Sequence, residues 1–318
     1  MLKPRNRLRV SPSVRHAKLK VTVLMELDQE ILIPPARTER PSTRPVKIIR
    51  PPSFSPAILF SGLSELFWYR DLLYTLTLHR VRVRYKQSAL GLGWALVQPL
   101  AMMMVYTIIF SIFARFPSKG VPYSLFVLCG ILPWNFFQTA LSSSASGLVS
   151  HTSLITKVYF PREILPFSYV MAAFFDFLVA CVILVTMMTW YHVGLTINVL
   201  YVVPILLVEV AFISGVGLLF SAFQVRFRDI GIAMPLILQL WMFCAPVVYS
   251  YSDVPKRFRA LYMLDPMAGI VENFRRVIIQ GWGADLRLLG ISAAAAVIVL
   301  PLGYMYFKHR EATMADVI

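Results

Sequence analysis

With 318 residues, 58% of them hydrophobic, and a mean hydropathy of +0.67, the chain is too apolar for an ordinary soluble domain. Its net charge of +15 is uneven, because 12 of the 31 Lys and Arg fall within residues 1–56. The apolar runs are continuous, which excludes a β-barrel, whose strands read as ~10-residue alternating segments.

Residues 1–56 hold nine prolines and show little periodicity. They read as a mostly disordered, cytosolic basic tail attracted to anionic headgroups. Nucleic-acid binding is the weaker reading, since no recognition fold accompanies the charge. Val21 to Met25 is too short for the apolar core of a signal peptide, and Glu26 follows at once. Residues 57–318 form the membrane domain.

Within 64–86, Leu66, Tyr69, Leu73 and Leu76 recur at helical spacing. The segment ends in Arg80, Arg82, Arg84, Tyr85 and Lys86, with cations all round the helix. It predicts a helix lying in the membrane interface, with a basic stop-transfer flank as the plainer alternative.

A helical span needs ~20 apolar residues. Six are predicted, at about 94–113, 123–141, 164–190, 199–223, 230–250 and 288–307. An even number puts both termini on one side, and the positive-inside rule favours the cytosol. Only the third and fourth spans carry charges, Asp176 and Glu209. An intramembrane carboxylate costs ~2.5–3.5 kcal/mol on insertion scales, so both must face protein or water. They read as interhelical hydrogen-bonding groups or as proton carriers, and no His, Asp or Glu chain continues a proton path. Gly215, Gly217 and Ser221 give the fourth span a small-residue face for close packing. Pro235 and Pro246 bend the fifth, and Gln239 between them points to a polar lining.

The connection 150–166 reads SHTSLITKVYFPREILP, basic and bounded by prolines. Lys157, Tyr159, Phe160 and Arg162 exceed what a simple turn needs and suit a partner's grip. Between spans five and six, Asp265 is a good N-cap with Pro266 at the first helical position. Met267, Ile270, Val271, Phe274 and Ile278 then share one face, and Gly281 is a plausible stop. At ~1.5 Å per residue this helix is about 20 Å long, too short to span, and so re-entrant or interfacial. Residues 255–264 suit a second, shorter one.

Cys129, Cys181 and Cys244 all lie in apolar spans without a C-x-x-C pair, as packing residues do. No G-x-x-x-x-G-K-[ST], H-E-x-x-H or G-x-S-x-G motif occurs, and no loop holds a carboxylate pair. No catalytic or metal residue is therefore expected. Energy for uphill work must come from a partner or an ion gradient.

Six segments carry a resemblance: VRYKQSALGLGWALVQPL (83–100), CGILPWNFF (129–137), LITKVYFPREILP (154–166), VRFRDIG (225–231), APVVYS (245–250) and LDPMAGIVENFRR (264–276). In this order, over roughly 46–310, the chain resembles the transmembrane permease subunit of bacterial ABC transporters that export O-antigen, capsule or teichoic acid. Residues 1–45 lie outside the match. The resemblance implies an all-α permease domain in the bacterial inner membrane, with both termini cytoplasmic, acting as a homodimer. Two cytosolic ATP-binding subunits would hold the ATP and Mg2+, this chain would hold no cofactor, and the substrate would be a lipid-linked polysaccharide.

It also implies roles. Lys157, Tyr159, Phe160, Arg162 and Glu163, with Arg226, Arg228 and Asp229 of the next loop, would couple to the ATPase. Arg82, Arg84, Tyr85 and Lys86 would belong to the interface helix, and Asp265, Pro266 and Phe274 to an outer gate. Tyr106, Phe110, Phe113, Trp241, Phe243 and Tyr249 would line the path, where rings suit sugar faces. Lipid- or core-facing aromatics are the plain alternative at each. His79-Arg80 and Thr156 depart from the family pattern at the expected ATPase interface. A small-lipid or drug exporter of related fold, or a proton-coupled exporter using Asp176 and Glu209, are the competing functions. A membrane-embedded transferase lacks its catalytic acid or His cluster.

Overall fold

Every regular element among the described residues (66–86, 88–113, 121–152, 155 and 160–317 of the computed structural model) is helical. The basic tail, Thr156, Lys157 and Tyr159 lie outside them. Helix α1 spans Arg70–Tyr85, inside the predicted 64–86. Helix α2, Gly93–Tyr106, runs into a π-helical turn, Thr107–Phe113, and only its Pro99 is buried. Helix α3, Tyr123–Ser150, is the centre of the bundle, with 19 of its 28 residues buried. Helices α4 (Ile164–Trp190) and α5 (Val202–Arg226) pack around it.

Helix α5 meets the last helix, α9 (Leu286–Val317), at a close crossing. A Cβ added at Gly215 would collide with the Leu300 backbone, and one at Gly303 with the Gly215 carbonyl. Gly217 sits against the Ser144 hydroxyl of α3. The small-residue face read from the sequence is thus used against two neighbours.

Five described helical segments are long and apolar enough to cross a membrane. The fifth predicted span differs. Helix α6 covers Asp229–Cys244, only 16 residues, and 245–250 is unwound. Pro246 lacks an N–H and disfavours helix at the residue before it, so the helix stops there. Two short helices follow, α7 (Arg259–Met263) and α8 (Pro266–Ile279). As predicted, the Asp265 side chain accepts the Met267 N–H at 3.0 Å, and Gly281 closes α8 with φ +63. The whole predicted face of α8 is buried.

Aromatic rings fill the middle. Phe137 lies 5.0 Å from Trp241 and 6.0 Å from Phe212, and Phe177 joins α4 to Phe274 of α8 at 6.1 Å. Cys129 is buried and Cys181 half-buried as packing residues, whereas Cys244 is exposed at the α6 end.

Candidate functional site

Three polar networks in this apolar bundle involve the residues singled out from the sequence or the break after α6. The first anchors α1. Arg80 Nε donates to Ser168 Oγ at 2.7 Å, and its guanidinium lies 3.4 Å over the Tyr169 ring. Tyr169 in turn meets His151, whose Nδ1 is 3.1 Å from the Gly147 carbonyl. Further along α1, Arg84 pairs with Asp176 Oδ2, and the Tyr85 hydroxyl donates to Oδ1 at 2.7 Å. Burial and that bond to Asp176 push the Tyr85 phenol up to about 12. The Asp176 charge is thus answered from outside the spans. Arg82 and Lys86 stay exposed.

The second network holds the end of the 150–166 connection. Phe160 is buried, and Glu163 is fully buried at the foot of α4. Lys308 Nζ lies 2.8 Å from Glu163 and 3.0 Å from Glu311, and the Tyr304 hydroxyl donates to Glu163 at 3.0 Å. The Arg162 backbone N–H donates to Glu311 at 3.1 Å, and its guanidinium donates to the Glu311 carbonyl. Burial raises the Glu163 carboxyl above its usual range, helped by Glu311 and opposed by Lys308. Arg226, Arg228 and Asp229 remain exposed on the α5–α6 loop.

The third network satisfies the break after α6. Unwinding frees carbonyls that lipid cannot hydrogen-bond. Arg275 of α8, fully buried, supplies the donors: to Val247 at 2.8 Å, to Pro246 at 3.1 Å and to Tyr249 at 3.3 Å. Its guanidinium also lies 3.8 Å over Phe126 and pairs with Glu272 at 3.1 Å. Gly130 makes room, since a Cβ there would strike the Val247 carbonyl and the guanidinium. Asp265 adds a tie by accepting the Trp241 indole N–H at 3.1 Å. Burial raises that carboxyl, partly offset by the indole and the backbone N–H groups.

Four of the expected path aromatics, Tyr106, Phe110, Trp241 and Tyr249, pack against the same apolar core through different partners. Tyr106 donates to Met242 Sδ at 3.6 Å and packs near Phe110, while Trp241 belongs to the core with Trp134, Phe137 and Phe212. Tyr249 meets Tyr262 hydroxyl to hydroxyl at 2.7 Å, and Phe243 is half-exposed. Phe113 closes the π-helical turn, and its side chain lies outside those described. Sequence reasoning gives Arg275 no role of its own. A signal for it exists, because it falls four residues after Val271 and three before Ile278, on the apolar stripe. Lys308 and Glu311 likewise follow Tyr304 along one helical face. No cluster of three metal-ligating side chains occurs among the described residues.

Fold and networks together define a polytopic α-helical membrane protein whose helices are joined by polar ties at a few points. A family model described as ABC-2 type transporter matches residues 71–279, and the chain belongs to that family of transporter permeases. The O-antigen export system permease protein RfbA of Myxococcus xanthus is 29% identical over 256 residues, 80% of this chain and 98% of that protein. A Klebsiella pneumoniae protein of the same name is 28% identical over 249 residues, 78% and 95% of the two chains. The polysialic acid transport protein KpsM of Escherichia coli is 22% identical over 245 residues, 75% and 93%. The family match ends at residue 279, so α9, whose Lys308 and Glu311 bind Glu163 and Arg162, lies beyond it.

Proposed function

We propose that this chain is the membrane channel subunit of an ATP-driven exporter of lipid-linked cell-surface polysaccharide. The observation that carries the reading is its near end-to-end match to permeases named for O-antigen export, which covers 98% of the Myxococcus xanthus protein. The chain itself is no enzyme. ATP, Mg2+ and hydrolysis belong to a separate cytosolic ATPase subunit, and two copies of each chain assemble. Both termini lie in the cytoplasm.

The ATPase grips the 150–166 connection and the Arg226–Asp229 loop. Motion at Arg162 and Glu163 passes into α4 directly and into α9 through Lys308 and Glu311. Tilting of the spans then opens the outer segment built on Asp265, Pro266 and Phe274. Asp176 is committed to Arg84 and Tyr85, which weighs against a proton carrier there. The test is affinity purification of the detergent-solubilised chain, expected to bring down a stoichiometric cytosolic ATPase. Replacing Tyr159, Arg226 and Arg228 together by Ala, which leaves the buried Phe160 and the Arg162–Glu311 tie in place, is expected to keep the chain folded while export stops and ATP hydrolysis continues. Wild-type surface glycan in that variant sinks the coupling role.

A further inference from the structure

Halfway along the bundle, the Arg84–Asp176 pair opens onto a cavity of about 390 Å³ between α1, α2, α3 and α4. Asp176 is the 13th of 27 residues in α4, about 18 Å from its start, where the last residues of α1, Arg84 and Tyr85, reach it. Buried apolar walls come from Leu132, Phe136 and Phe177, and the small Ala173 and Ala180 leave the space. Three further polar side chains line it: Gln98, Asn135 and Thr139, none of which makes a hydrogen bond within the described residues. Trp94, half-exposed, stands at the rim.

Polar groups at this depth face a bundle interior or an aqueous path, and in transporters they mark where cargo passes. The lining chooses among cargo chemistries. Arg84 is neutralised by Asp176, so the site offers no net charge to an anion. The walls are mostly apolar, but two amides, a hydroxyl, a phenol and a carboxylate among them would be left unpaired by a bare acyl chain. A lone carboxylate already paired is no cation site. What remains is a neutral, polyhydroxylated ring: amides and carboxylate meet hydroxyls, and an indole face meets the C–H face of a sugar. The volume lies at the lower end of the ~300–1,000 Å³ of ligand pockets, which suits a short saccharide segment and not a whole lipid-linked chain.

We propose that this cavity is a saccharide subsite, holding one short segment of the exported glycan beside the Arg84–Asp176 pair. It rests on the polysaccharide-export reading and names where in the chain the cargo is recognised. Asn135 and Thr139 hydrogen-bond the ring from α3, Gln98 from α2, and Trp94 covers it. Asp176, with lone pairs beyond those used by Arg84 and Tyr85, accepts a further hydroxyl.

The test places a photo-crosslinking residue at the exposed rim, Gln98→p-benzoylphenylalanine. The full chain is expressed with its cognate ATPase in cells making the host's own surface glycan. Val297, exposed on α9 and away from the cavity, carries the same group as the control. The expected result is a periodate-sensitive glycan adduct at Gln98 and only phospholipid adducts at Val297. Asn135→Ala should lower the glycan adduct about fivefold, as loss of one hydrogen bond does. Should the Gln98 variant fail to reach the membrane, the same readout at Thr139 decides. Only phospholipid adducts, or none, in cells whose surface glycan still depends on this chain overturn the subsite alone. Surface glycan that persists when the chain is deleted overturns the export reading and the subsite with it.

Discussion

Helices α1 and α8 are close in length, 16 and 14 residues, and neither can span a membrane, yet their surroundings are opposite. No residue of α1 is buried, whereas ten of α8 are. Both carry arginines, four in α1 and two in α8. In α1 these reach sideways to single partners on α4, at Ser168, Tyr169 and Asp176, and the rest face outward. In α8, Arg275 is sunk into the core and satisfies three backbone carbonyls at once. The difference separates a helix hung on the bundle from one built into it. A helix held at a few polar points can shift as a unit, while one that closes a break in a neighbouring span cannot move without reopening it.

Substitutions sharpen that contrast. Arg275→Ala strands the carbonyls of Pro246 and Val247 in a dry interior. A loss on the order of 4 kcal/mol is expected, read as a collapse of folded yield and melting temperature in detergent. Gly130→Ala should approach the same loss without touching a charge, because the Val247 carbonyl that a Cβ would strike is backbone and cannot swing away. A Gly130→Ala protein as stable as the parent would show that this crossing is looser than described.

On the α1 side the effects shrink. Asp176→Asn keeps a partner for Tyr85 and removes the charge opposite Arg84, whose side chain is one-third exposed. About 1 kcal/mol is expected, measured as a modest fall in melting temperature. His151 supplies a pH test of the Arg80–Tyr169 anchor. Burial, followed by the nearby Arg80 charge, lowers its imidazole below the ordinary value of 6.5. The unfolded chain therefore takes up a proton just below pH 6.5 while the folded chain does not. Its contribution is full above 6.5 and declines as pH falls below it. Melting temperatures at pH 7.5 and 5.5 should differ less in His151→Gln than in the parent. Arg82→Ala, at an exposed position with no partner among the described residues, should change stability by less than about 0.5 kcal/mol.

Local signals make much of this fold legible in the chain itself. The Asp265 cap, Pro266 and Gly281 bracket α8 within a residue or two, because capping and left-handed stops are decided by neighbours in the chain. Gly215 and Gly217 announce close packing, although their partners, Leu300 and Ser144, come only with the tertiary fold. Pro246 reads as a bend in a continuous span and is instead the end of one, because the carbonyls it frees find Arg275 29 residues later. The Glu163–Lys308 pair joins positions far apart in sequence, and no local pattern at either end names the other. The family resemblance implies channel lining for Trp241, with a core-facing ring as the plain alternative. Its ring is drawn into the core by Phe137, Phe212 and Asp265, none of which its own neighbours reveal.

Under the proposed function, the chain moves a lipid-linked glycan only when an ATPase drives it. Proteoliposomes containing this chain, its cognate ATPase and the host's lipid-linked glycan test this directly, by the fraction of glycan protected inside the vesicles. Protection is expected to require ATP hydrolysis and to disappear when either subunit is omitted. Protection that proceeds without the ATPase, driven by a proton gradient alone, would contradict it.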